Sequence, residues 1–219
     1  MIDIHTHILP GVDDGAKNLD ISIALLKEEK DAGMDTVYLT PHNNKNTKTG
    51  PELKKKFQSF LLETKDLGIN LKLGSEIYYY HDMIKDLKEG KILTMDDTKY
   101  VLVEFSTRTE TDVCEVVYEL VREGYTPIVA HIERYPYLTK GDYHEIKENG
   151  GLIQVNASSF KHFGTRQKMK YLLKNDLIDY VGSDCHSLDR RNVDFSHATK
   201  YIKKKFPDQY KKIFEKTSL

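Results

Sequence analysis

Histidines and carboxylates recur along this chain at one kind of place, the end of a predicted strand. The first instance is at the N-terminus. An alternating strand over Met1 to His5 is broken by Leu9-Pro10-Gly11, so His5 and His7 leave one strand end with their imidazoles on the same side. Asp14 follows within Val12-Asp-Asp-Gly15. The β-branched and aromatic run Thr36 to Thr40 stops at Pro41-His42. Ile69 to Leu73 leads into Gly74-Ser75-Glu76, and the apolar strand Tyr100 to Glu104 closes on its own acid. Pro127 to His131 ends in histidine, Leu152 to Asn156 in an amide, and Asp179 to Gly182 runs into Ser183-Asp184-Cys185-His186. Taken singly, each residue has an ordinary explanation, and Asp13-Asp14-Gly15 alone reads as a turn. Taken together, six of seven predicted strands end in a histidine or an acid. Such groups crowded at one mouth repel one another or stay unpaired unless cations join them.

That expectation is metal ligation. Imidazole with carboxylate, and no cluster of thiolates, suits manganese, iron, zinc or cobalt rather than a structural zinc closed by cysteines. The ligand set His5, His7, Asp14, His42, Glu76, Glu104, His131, Asp184 and His186 exceeds the capacity of one ion. Two or three divalent ions bridged by a carboxylate are implied, an arrangement suited to phosphoester hydrolysis.

The elements between the strands must bring these groups together. Asn18 caps a helix with apolar positions Ile21, Ala24, Leu25 and Ala32, closed by Gly33. The polar stretch Asn43 to Gly50 reads as a loop over the site. Pro51 opens a second helix with the stripe Leu53, Phe57, Phe60 and Leu61. Further helices are expected over His81 to Lys91, around Val113 to Val121, around Tyr143 to Glu148, and at Met169 to Leu173. A basic helical C-terminus from Val193 to Lys216 is broken by Pro207, and its lysines read as solvated surface. Seven strand-then-helix units imply a parallel sheet closing into an α/β fold, a distorted TIM-like (β/α)7 barrel formed by one domain spanning residues 1–219. Barrel sites lie at the C-terminal strand ends, where all nine groups would converge.

The composition excludes other classes. With 33 basic and 34 acidic residues, no nucleic acid, membrane surface or polyanion is called for as an obligatory partner. No apolar run is long enough to span a bilayer, and the chain opens on a strand rather than a signal-like segment, so a cytoplasmic protein is expected. Cys114 and Cys185 cannot build a disulfide framework and are expected reduced.

The motifs resemble a known family. His5-Thr-His7-Ile with Val12-Asp-Asp-Gly15, Pro41-His42, Gly74-Ser-Glu76, Tyr100-Val-Leu-Val-Glu-Phe105, Ala130-His-Ile-Glu-Arg-Tyr135 and Gly182-Ser-Asp-Cys-His-Ser-Leu-Asp-Arg-Arg191 resemble the polymerase and histidinol phosphatase (PHP) superfamily. Within it they are similar to the bacterial tyrosine phosphatases of capsule and exopolysaccharide operons, across nearly the whole chain in order. The resemblance implies a trinuclear, usually manganese-dependent site in a distorted seven-stranded barrel. It implies a phosphotyrosine protein as substrate, such as the tyrosine-rich tail of a bacterial tyrosine kinase. Carried over by position, one ion takes His5, His7, Glu76 and Asp184; a second Glu76, Glu104 and His131; a third Asp14, His42 and His186. Arg134 and Arg191 match phosphate-binding positions, where planar forked donors suit a dianionic phosphoryl group.

A phosphatase acting on a small molecule such as histidinol phosphate is the alternative within the superfamily, and a non-catalytic metal-binding module is a third reading. A fourth pattern competes at Cys185 and Arg191, which fit the Cys-x5-Arg spacing of cysteine-dependent phosphatases. The intervening residues contain no glycine to let successive amides converge on phosphate, and Asp189 would repel it.

Overall fold

The structure, a computed structural model, describes residues 1–43, 49–161 and 163–219. Most of the expected loop over the site, residues 44–48, lies outside them. Parallel strands β1 (Ile2–Thr6), β2 (Thr36–Leu39) and β4 (Asn70–Leu73) form one sheet. Strands β3 (His42–Asn43), β5 (Glu76–Tyr78), β6 (Tyr100–Glu104), β7 (Thr126–Val129), β8 (Leu152–Asn156) and β9 (Tyr180–Gly182) form the other, in that order. The extra two strands arise because the chain continues past the second and third expected strands, after a bend in each case, as a further short strand. After β2 the chain reaches Pro41, which has no N–H to donate and fixes its φ. After β4 it reaches Gly74, where a Cβ would sit 2.5 Å from the Met95 sulfur. Beyond these bends the same chain continues in the other sheet, with His42 in register with Glu76.

The ring closes between β9 and β1. A lone bridge pairs Thr6 with Cys185, the Asp184 N–H donates to the His5 carbonyl at 2.8 Å, and the His7 N–H donates to the Cys185 carbonyl at 2.9 Å. The result is the expected seven-fold parallel barrel, distorted at the two bends. Helices α1 (Leu19–Asp31), α2 (Gly50–Thr64), α3 (Met83–Lys88), α4 (Val113–Arg122), α5 (Lys140–Glu148), α6 (Phe163–Lys174), α7 (Ser196–Lys205) and α8 (Pro207–Phe214) complete the chain. Caps sit where the sequence places them: Asn18 accepts the Ile21 N–H, and Pro207 opens α8 after the break. The helix expected over His81 to Lys91 is shorter, reduced to α3.

Strand periodicity sorts the apolar side chains into two cores. Ile2, Ile4, Tyr38, Leu102, Ile128, Ala130 and Tyr180 form one small cluster, which fills the barrel. Their odd-numbered neighbours Val37, Leu39, Leu71, Leu73, Val101, Val103, Val129, Ile153 and Val155 pack with the helices in the larger cluster outside. Even positions therefore point inward, and their continuation beyond the apolar layer brings His42, Glu76, Glu104, Asn156 and Asp184 to the mouth. The odd-numbered ligands need a break in this pattern. The β1–β2 register shifts between Asp3 and Thr6, a bulge-like irregularity that re-aims the residues after Ile4. At the end of β7, His131 adopts a left-handed backbone with φ 30° and ψ 57°, uncommon outside glycine, which turns its ring inward.

The loop after β1 folds back on the strand: the Ala16 N–H donates to the His7 carbonyl at 2.9 Å and the Gly11 N–H to the Ala16 carbonyl at 2.7 Å. Gly15 lies so close that a Cβ there would stand 2.1 Å from the His7 oxygen. Gly15→Ala is expected to destabilise the fold by roughly 1–3 kcal/mol through this overpacking. A urea unfolding midpoint equal to the wild-type value would overturn the assignment.

Candidate metal centre

All nine expected ligands meet at the barrel mouth. Glu76 lies at the centre. Only 1% of its side chain is exposed. Its Oε1 is 2.8 Å from His131 Nε2 and 3.1 Å from His5 Nε2. Its Oε2 is 2.9 Å from His42 Nδ1 and 3.2 Å from His7 Nε2. Four groups of potential ligand atoms lie mutually within 4.8 Å: His5, His7 and Asp184; His5, Glu76 and His131; His42, Glu76 and Glu104; and His7, Asp14, His42 and His186. Asp14 is the outlier by exposure, with 67% of its side chain open, and reaches in from the first loop.

Hydrogen bonds behind these groups fix which nitrogen faces the cluster. His7 Nδ1 is 2.7 Å from Asp13 Oδ2, and His5 Nδ1 is 3.2 Å from Gln154 Oε1. His186 Nδ1 is 3.0 Å from the carbonyl of Asp184. Each partner is an acceptor, so each Nδ1 carries the proton and each Nε2 turns a lone pair inward. The consequence is a gathering of acceptors. The Nε2 atoms of His5 and His7 stand 3.3 Å apart beside carboxylate oxygens. The buried His186 Nε2 has no hydrogen-bond partner. Lone pairs packed against lone pairs are costly without a cation among them, and these donor types are the ones hard or borderline divalent ions take. The residues present fit such ions.

The electrostatics agree. Burial alone would lower the His7 pKa, but its hydrogen bonds to Asp13 and Glu76 push it up to about 10. Burial opposes ionisation of Asp13, and the His7 contact outweighs it, holding that carboxyl down to about 2. Glu76 behaves likewise: despite burial, the surrounding imidazoles keep it well below the usual carboxylate range. Glu104 moves the other way, raised by burial and by the charge on Glu76. Burial, with His7 and Arg191 adding to it, lowers His186 to about 3, leaving its lone pair free. The cluster requires positive charge, and without a metal ion it takes a proton instead.

Arg134 and Arg191 flank the ligands at the mouth. Arg134 Nη2 donates to Asp184 Oδ2 at 2.8 Å and Arg191 Nη2 to Asp184 Oδ1 at 2.6 Å. Both guanidiniums are more than a third exposed and line a polar cavity of about 310 Å³ with Asn156 and Lys161.

Sequence reasoning passed over the supporting residues. Asp13 was treated as part of a turn, although its adjacency to Asp14 marked it. Gln154 sits two residues before the strand-end Asn156, and its Oε1 accepts both from His5 and from the His131 N–H at 2.7 Å. Asn156 in turn donates to Asp184 Oδ2 at 2.8 Å. Asp3 accepts the N–H groups of His5 and Ser183, with the buried Glu29 close behind. Burial and the neighbouring Asp3 raise the Glu29 carboxyl far above its usual range, and burial raises Asp3 as well. Cys185 is fully buried beside Glu29, 3.7 Å from its Oε1, and burial pushes its thiol well up. That leaves the cysteine-phosphatase pattern without an accessible thiolate. Glu133 of the His-Ile-Glu-Arg motif faces away from the ligands and accepts the Asn156 N–H and the Ser159 hydroxyl.

Comparison with known proteins shows the family. A family model for capsular polysaccharide synthesis proteins, CpsB/CapC, matches residues 1–218. The tyrosine-protein phosphatase CpsB of Streptococcus agalactiae is 35% identical, over 94% of this chain and 91% of that protein. The tyrosine-protein phosphatase YwqE of Bacillus subtilis is 32% identical, over 94% and 85%. Crystal structures of YwqE and of CpsB from Streptococcus pneumoniae, described as unique metal-dependent tyrosine phosphatases, include a chain that superposes with a TM-score of 0.89 at 28% identity, covering 96% of this chain and 89% of that one. Histidinol phosphate phosphatase from Lactococcus lactis shares the fold, with a TM-score of 0.57 at 16% identity over 93% and 92%. The chain belongs to the CpsB/CapC family of capsular polysaccharide synthesis proteins.

Proposed function

We propose that this protein is a metal-dependent protein-tyrosine phosphatase that acts in the cytoplasm on a phosphotyrosine protein, the tyrosine-rich tail of a bacterial tyrosine kinase that controls capsule or exopolysaccharide synthesis. The observation that carries it is the set of inward-facing acceptors around Glu76 at the mouth of the barrel. The tyrosine phosphatases at 32–35% identity favour this substrate class over a histidinol phosphate, whose phosphatase shares only the fold. No helix among the described residues is long and apolar enough to cross a membrane.

His5, His7, Glu76 and Asp184 would hold one ion, Glu76, Glu104 and His131 a second, and Asp14, His42 and His186 a third. Manganese fits this hard oxygen and imidazole set, and iron, zinc or cobalt would also be taken. The exposed Asp14 makes the third position the weakest, so the count is two or three. When bound, the ions supply Lewis acidity and a water of lowered pKa, the combination that hydrolyses phosphate monoesters. Asp13 and Gln154 hold the His7 and His5 rings so that their Nε2 atoms face the cluster. Arg134 and Arg191 donate to the phosphoryl oxygens that are not attacked, in the polar cavity beside Asp184. The leaving phenol of phosphotyrosine has a pKa of about 10, so expelling it requires little protonation and charge neutralisation carries most of the barrier reduction.

Exhaustive chelation is expected to abolish hydrolysis of a phosphotyrosine peptide, and manganese to restore it, with histidinol phosphate a poor substrate for the restored enzyme. Full turnover with no metal by elemental analysis, or a preference for histidinol phosphate, would overturn the reading. Arg134→Ala and Arg191→Ala should each lose roughly 2–4 kcal/mol of transition-state stabilisation, tens- to hundreds-fold or more in rate. Each should retain its metal, because the other guanidinium and Asn156 still hold Asp184. Metal loss in a single variant would assign that arginine a structural role. Cys185→Ser should keep most of the activity, and a covalent phosphoenzyme trapped on Cys185 would contradict the mechanism.

A further inference from the structure

The cations of the C-terminal third are not spread evenly. On α7, His197, Lys200, Tyr201 and Lys204 stand at i, i+3, i+4 and i+7, which places them on one stripe, while Ala198 and Ile202 of the same helix are buried. Arg166 of α6 and Lys205 line the same groove. The groove encloses about 450 Å³. No carboxylate is among the described residues that line it, and none of its four formal cations is ion-paired among the described residues. Several lysines elsewhere on the surface are matched, as Lys54 is to Asp97, Lys88 to Glu123 and Lys212 to Asp176. Two lysines four apart on a helix repel each other, so an unmatched set concentrated in a concavity is the composition expected of an anion-binding surface.

The groove is a neighbour of the proposed catalytic cavity. Phe160 lines the groove, and the next residue, Lys161, lines the cavity that holds Arg134, Asp184 and Arg191. On the facing side Ser196 lines the groove and Asp194 the cavity. The partition is thus a Lys161–Asp194 ion pair with its chain neighbours. Consecutive Cα atoms are about 3.8 Å apart, so an extended peptide leaving the mouth across this partition enters the groove within a short stretch of chain.

We propose that this groove is a second substrate subsite, which binds Asp or Glu side chains flanking the phosphotyrosine of a peptide substrate. The inference rests on the phosphotyrosine reading above and adds to it a sequence preference. Lysine ammonium groups are compact point charges on flexible stems, so they take carboxylates at several spacings without a fixed fork. Tyr201 and Phe160 offer apolar surface to the stems of the bound residues. Contacts of this kind act on encounter and ground-state binding, and so on KM more than on kcat. Nucleic acid is disfavoured, because the chain's net charge is −1.

The test compares manganese-loaded wild type with the Lys200→Ala/Lys204→Ala variant on two phosphotyrosine peptides of equal length, one flanked by Glu and one by Gln, with p-nitrophenyl phosphate as a flank-free control. At low ionic strength the wild type should show roughly tenfold higher kcat/KM on the acidic peptide, expressed in KM and reduced by salt. The variant should lose that preference while its kcat and its rate on p-nitrophenyl phosphate stay at wild-type values. Equal kcat/KM on the two peptides in the wild type, or a preference that survives in the variant, overturns the subsite. So does an oligonucleotide that displaces a labelled acidic peptide from the wild type at lower concentration than the unlabelled peptide does. No turnover of either peptide, with p-nitrophenyl phosphate still hydrolysed, overturns the subsite and the phosphotyrosine reading together.

Discussion

A carboxylate with almost none of its surface in water cannot remain ionised unless positive charge is held against it, and Glu76 is that carboxylate. Each of its oxygens faces two imidazoles, so it can sit between two cation positions where a more peripheral acid could serve only one. The bend at Gly74 and Ser75 puts it there: the chain leaves one sheet at Leu73 and rejoins the other at Glu76, whose N–H donates to the Pro41 carbonyl at 3.1 Å. His42 is delivered by the parallel bend at Pro41, in register with it. Two broken strands are therefore a requirement of the site, since straight continuations would leave both residues on a flat sheet edge.

The bends at Pro41 and Gly74 have an equivalent in the histidines. Inward-pointing positions of a parallel barrel alternate, and a run of ligands confined to one parity is too sparse to surround a cluster. His5 and His131 come from the other parity, the first through the register shift in β1 and the second through a left-handed backbone. Such conformations persist only when their surroundings fix them. For His131 the fixing contacts are its N–H to Gln154 at 2.7 Å and its ring between Glu76 and Tyr135. Gln154 contacts His5 as well, so a single amide positions both re-aimed imidazoles.

This divides what the sequence discloses from what it conceals. Strand ends and the residues just after them are legible, because β-branched runs stop at Pro41, Gly74 and Gly182, and the expected ligands His42, Glu76 and Asp184 follow within two residues. The parallel barrel follows from seven such units separated by helical stretches. The split of two strands was not legible, since a bend within a continuing chain leaves the periodicity unchanged on both sides. Gln154, Asp3 and Glu29 were hidden for a different reason. They are polar residues inside apolar patterns, and only the fold shows that Gln154 lies behind His5, or that Asp3 and Glu29, far apart in sequence, share one buried pair. Arg134 and Arg191 were visible only through motif resemblance. Nothing in their local sequence distinguishes them from Arg190, and it is the 2.6 Å contact from Arg191 to Asp184 that separates the two.

That contact also joins the two halves of the chemistry. Asp184 is buried, and its two oxygens accept from Arg134, Arg191 and Asn156 while one of them faces His5 and His7. An acid at the edge of the proposed metal cluster thus holds both guanidiniums in place. Each arginine uses one nitrogen on Asp184, and its planar fork keeps further N–H donors directed from a fixed position. Because the guanidiniums are more than a third exposed and Asp184 is not, a phosphoryl group bound as proposed would meet donors already oriented by a buried partner. Orientation achieved before binding costs little reorganisation during reaction, which is how electrostatic stabilisation becomes rate.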